Sequence, residues 1–187
     1  MTWNTQNIAE LARSPGRLTW NPTDLSAAYP YGGTDLGRTI NKSFQVGRRQ
    51  RRITAEEYGG ELAGAIITGT SGVLAAMSVG YQDNAWDLVF DSTTGASSGK
   101  PVYDPSGQAG TRVQGGVLLF VPDDVANHRA LILYNAIPLV EESAQLALRV
   151  RDRVALAMVF EAARVSDTDS ANDNKSWGLG LIEDLSL

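Results

Sequence analysis

Hydrophobic and polar positions alternate with a period of two through most of the second half of the chain, the pattern of strands whose side chains point to two faces in turn. Between Thr111 and Val121, the residues Val113, Gly115, Val117, Leu119 and Val121 share one face, while Leu118 and Phe120 share the other. A strand apolar on both sides belongs in the middle of a sheet. A short acidic loop, 122–127, leads into His128–Val140, where Leu131, Leu133, Ile137 and Leu139 alternate with Ala130, Ile132, Tyr134 and Ala136. The two segments predict an antiparallel hairpin.

The next segment, Glu141–Arg164, has no Gly or Pro and is rich in alanine, so a long helix competes with a strand. Parity decides for strand. Leu146, Leu148, Val150, Val154, Leu156, Met158 and Phe160 are all even-numbered, whereas a helix would spread Arg149, Arg151, Asp152 and Arg153 around a turn and break any apolar stripe. A bend is expected at 151–153.

Earlier in the chain, Thr5–Arg13 suits a short helix stopped by Ser14-Pro15-Gly16, and Arg17–Trp20 a brief strand ended by Asn21-Pro22. Turns follow to Gly37, with Tyr29 and Tyr31 set among Pro and Gly; packing is their expected role, a ligand platform the other reading. Thr39–Val46 and Arg51–Thr54 are expected as two arms of a hairpin joined at 47–52, where Arg48, Arg49, Arg51 and Arg52 make the strongest local charge in the chain. Contact with an acidic protein surface or with solvent is expected for them ahead of phosphate, and Glu56 and Glu57 lie close enough in sequence to be partners. A second hairpin is expected from Leu62–Thr68 and Val73–Tyr81, turning at Gly69-Thr70-Ser71-Gly72. Asp83 caps a short helix, Asn84–Phe90, whose Ala85, Trp86, Val89 and Phe90 can cover the sheet. Long polar loops over 91–110 and 166–176 precede a last strand, Trp177–Leu187, with Leu179, Leu181 and Leu185 inward.

The composition narrows what such a fold does. At 187 residues one domain is expected. A formal charge of −5 argues against gripping nucleic acid over a broad surface. Without cysteine there is no disulfide, thiolate metal site or cysteine nucleophile. The start of the chain has neither a basic nor an apolar leader segment, and no apolar run reaches membrane-spanning length, so synthesis in the cytoplasm is expected.

Catalytic patterns fail on their context. Gly95-Ala96-Ser97-Ser98-Gly99 lacks the flanking strand and helix of a nucleophile elbow, and Ser97 with Lys100 lacks companion motifs. The same stretch is one residue short of a phosphate loop. His128 starts a strand, where a surface role is expected. Asp167, Asp169 and Asp173 are spaced like a calcium loop, but Asn172 and Gly178 stand where its Gly and bidentate Glu belong. No enzyme activity, cofactor or metal is expected.

Several stretches resemble the tail tube (major tail) proteins of long-tailed bacteriophages: 17–25 with 31–37, then 53–60 continuing to Ala65-Ile66, the helix with Trp86, Leu118–Pro122 with Pro138-Leu139, and Phe160-Glu161-Ala162. The resemblance spans nearly the whole chain and matches least over 91–110. It implies a mainly β fold, an antiparallel β-sandwich or barrel with one short flanking α-helix and long loops. It also implies a single domain, 1–187, with an extended arm around 37–58 and a polar loop around 91–110. The implied function is a virion structural protein forming hexameric rings that stack into a hollow tube through which phage DNA passes without specific binding. Its partners would be copies of itself and other tail proteins. Arg48, Arg49, Arg51, Arg52, Glu56 and Glu57 are then the expected inter-subunit contacts, and net negative charge would let DNA slide past. The alternatives are a tail terminator or head-tail connector, and a stand-alone β-sandwich binding glycans through Trp3, Tyr29, Tyr31 or Trp177.

Overall fold

The computed structural model describes residues 15–55, 61–79, 83–90, 114–126, 128–139, 155–169 and 171–187. The alternating segments form seven strands: β1 (Gly16–Trp20), β2 (Thr34–Ala55), β3 (Glu61–Val79), β4 (Gly116–Pro122), β5 (Ala130–Pro138), β6 (Ala155–Ala162) and β7 (Trp177–Gly180). One helix, α1 (Asp83–Phe90), follows β3. All pairings are antiparallel and run β4-β1-β2-β3-β6-β5, with β5 returning to β4, so six strands close into a barrel. Closure pairs the ladder groups that an open sheet would leave at its edges.

Parity sets the core. Leu18, Leu36, Phe44, Leu74, Leu118, Phe120, Leu131, Leu133, Leu156, Met158 and Phe160 point inward and are buried, and Ala85, Trp86 and Val89 of α1 join them from beside β2 and β6. Burial at about 25 cal/mol per Å² of apolar surface makes this cluster the main stabilising term. The opposite face of the β4–β5 hairpin is covered as well. Leu119, Val121 and Ile132 lie under Leu25, Tyr31, Ile182 and Leu185, so β4 is apolar on both faces because both are buried. The expected mainly β fold with one short flanking helix, the β4–β5 hairpin and the strand parity of 155–162 are all present.

Three expectations need correction. The arginine segment is not a turn: β2 continues through it to Ala55. Gly69-Thr70-Ser71-Gly72 is not a turn either, since β3 runs unbroken from Glu61 to Val79 and pairs with β2 along that length. Local turn preference loses here to the ladder bonds of a long partner strand, and the mismatch is absorbed by register shifts at Ile40/Ser43, Arg49/Gln50 and Ile53/Thr54. The last strand stops at Gly180, and a 3-10 turn, Ile182–Asp184, directs Leu185 onto the outer cluster instead.

Strand β7 has an unusual position. It pairs with Ala130–Leu133 of β5, while β6 pairs with Ala136–Pro138, on the edge of β5 that does not face β4. β6 and β7 therefore lie end to end in one slot, interrupted by residues 163–176. The expected helix at 5–13, the loop at 91–110 and the strand before Ala155 fall outside the described residues.

Candidate assembly surface

Strand β2 is 22 residues long and β3 is 19, far beyond what the barrel requires. β1 accompanies β2 only over Thr34–Thr39, and β6 accompanies β3 only over Gly72–Val79. From Gly47 and Ser71 outward, the two strands pair only with each other among the described residues. This leaves a two-stranded arm, roughly 30 Å of ribbon at about 3.3 Å per residue.

Two strands with no sheet beneath them are marginal in water, and this ribbon is not polar. Among the described residues, three of the seven large exposed hydrophobic side chains, Ile53, Ile66 and Ile67, lie on this ribbon, and two more, Ile40 and Val46, lie on β2 before it. Apolar exposure is therefore gathered along the β2–β3 pair and not scattered as on an ordinary surface. Ile66 and Ile67 are adjacent, so they project from opposite faces of the ribbon, and both are more than half exposed.

The arginines lie in this ribbon. Arg48 is in register with Thr70, Arg49 with Gly69, Arg51 with Ile66 and Arg52 with Ala65. No cross-strand neighbour is acidic, and Arg51 is exposed with no ion pair among the described residues. Glu56 and Glu57, the other expected contacts, fall outside the described residues. The sequence reading located the charge and missed the isoleucines, although adjacent Ile66-Ile67 in a strand already requires one of them to face away from any single core.

The other candidate positions resolve into structural roles. Tyr29 donates its hydroxyl to Asp35 and stands edge-on to Tyr31, with ring centroids 5.9 Å apart. Arg17 lies 5.0 Å from the Tyr29 ring centroid. Burial pushes the phenol pKa of both tyrosines up, and in Tyr29 the hydrogen bond to Asp35 adds to the rise. These rings pack the loop, as expected. His128 sits on the surface beside Asp124, at 3.8 Å. Asp173 and Asp167 accept the backbone N–H groups of Asp167 and Asp169, which uses those carboxylates to hold a turn. Trp177 packs edge-on against Phe44 at 5.3 Å. Ser97, Lys100 and Trp3 lie outside the described residues. Among the described helices, none is long and apolar enough to cross a membrane.

No protein-family model matches the chain, and no curated protein matches it. Among solved structures it is similar to a chain described as the tail of an empty GTA particle computed with helical refinement in C6 symmetry. The identity is 12%, over 88% of this chain and 96% of that one, with a TM-score of 0.46. That likeness is too loose to carry weight. The class of the protein is set by its own strands: an antiparallel closed β-barrel with a projecting two-stranded arm.

Proposed function

We infer that the protein is a virion structural component of a phage tail, whose copies form six-membered rings that stack into a hollow tube for DNA passage. The observation that carries this reading is the arm, a ribbon that leaves isoleucines exposed and its outer ladder groups without strand partners among the described residues. Such an element is favoured when a neighbouring copy covers it, and heterologous contacts of this kind close into rings or extend as filaments. The sequence resemblance over 17–25 with 31–37, 53–60 continuing to Ala65-Ile66, and Leu118–Pro122 with Pro138-Leu139 supports the same reading. The role is structural and not catalytic, and the site of action is the virion tail after synthesis in the host cytoplasm. The acidic net charge suits a lumen past which DNA slides.

Electron microscopy of the purified protein across a concentration series tests the reading. Long hollow tubes are expected. Single rings that never stack would favour a terminator or connector, and monomers at every concentration would overturn self-assembly as an intrinsic property.

A further inference from the structure

The arm needs a surface that matches both its charge and its apolar side chains, and the chain itself carries one. Residues 47–53 hold four arginines and no carboxylate. The −5 of the whole chain becomes −9 once those four charges are set aside, so the rest of every copy is strongly acidic. Much of that charge is gathered in 166–187, where Asp167, Asp169, Asp173, Glu183 and Asp184 face one lysine, Lys175. Asp167, Asp169, Glu183 and Asp184 are exposed. The same segment supplies apolar surface: Leu187 is exposed, and Leu179 and Leu181 are only half-buried. A cleft beside it opens between Thr70, at the root of the arm, and residues 174–179.

We propose that the arm of one copy seats on the C-terminal face, residues 166–187, of a second copy. Arg48, Arg49, Arg51 and Arg52 meet the carboxylates, while Ile66 or Ile67 covers the leucines. This rests on the self-assembly reading and names the surface that receives the arm. Opposite charges drawn together at a rim steer the encounter and fix its register, and the apolar pairs provide the burial. The arm's own ladder places Thr, Gly, Ile and Ala directly opposite the arginines, and its described carboxylate, Glu61, is in register with Ala55 instead.

Charge exchange between copies tests this directly. One variant reverses the arm (R48E/R49E/R51E/R52E), and a second reverses the face (D169K/E183K/D184K), at carboxylates that hold no turn in the structure. Assembly is read by sedimentation and microscopy, and folding by circular dichroism. Each variant alone is expected to lose sedimentable polymer while remaining folded. An equimolar mixture of the two should recover it, as should one chain carrying both sets. Normal assembly of the face variant alone would overturn the proposed acceptor while leaving self-assembly standing. Failure of both the mixture and the doubly reversed chain would also overturn it. Failure of the unaltered protein to assemble would sink the underlying reading instead.

Discussion

Lys42 Nζ lies 4.0 Å from the centroid of the Phe120 ring, a cation over an aromatic face at the one charged residue that is buried among the described residues. The bulge in β2 between Ile40 and Ser43 is what turns a side chain from this position inward. Burial pushes the ammonium pKa down to about 8, and Asp123 opposes the fall. In the unfolded chain a lysine keeps its proton to about pH 10.4. Below pH 8 both states are protonated, and the cost of the buried charge falls fully on the folded one. Between about 8 and 10.4 the unfolded state binds more protons, so stability should rise with pH, by roughly 1–3 kcal/mol. Denaturant melts from pH 7 to 10.5 check this; Lys42→Met should flatten the rise, and a rise persisting in that variant would place its origin elsewhere.

Ile66 and Ile67 contribute little to a single folded copy, because each already exposes more than half its surface. Replacing both with Ser should change unfolding free energy by about 0.5 kcal/mol or less per site. Assembly, read by sedimentation, should nonetheless fall sharply. An equal loss in the thermal melt of the dilute protein would mean that the arm is already packed within the monomer.

Phe160 is fully buried on β6, in register with Leu74 of β3 and Pro138 of β5, and its ring centroid is 6.0 Å from that of Trp20. It therefore touches several sides of the barrel at once. Phe160→Ala should cost about 3–5 kcal/mol, measurable as a lower urea midpoint; a cost below about 1 kcal/mol would contradict the packing described for the core.

Gly16 starts β1 where that strand meets β4. A Cβ there would stand 2.3 Å from the carbonyl oxygen of Val121 and 2.6 Å from the Phe120 ring. Backbone blocks one direction and a buried ring the other, so no rotamer relieves the clash. Gly16→Ala should destabilise by about 1–3 kcal/mol, with faster hydrogen exchange at β1 and β4 relative to β3.

Parity made much of this fold legible in the sequence. It gave both faces of Val117–Val121, the hairpin to β5, and the strand reading of Leu156, Met158 and Phe160, because a half-buried or buried strand has to segregate its side chains. Gly69-Thr70-Ser71-Gly72 misled because turn residues report local preference, whereas β3 is held in the ladder by a partner strand longer than itself. The shared slot of β6 and β7 was not legible, since periodicity specifies which way side chains face and not which strand lies alongside. On the candidate surface, charge marked the arm at Arg48–Arg52, but only the paired strands revealed that its isoleucines have no core to enter.

Strand β6, Ala155–Ala162, is the stave between β3 and β5, and it follows both of them in the chain. Until the ribosome has delivered it, the nascent barrel can exist only as an open sheet with the raw edges of β3 and β5 exposed. A copy in which β6 has not yet docked is therefore adhesive along the edges that the finished molecule seals. A cell making many copies at once faces its greatest risk of mispairing before a single subunit has closed.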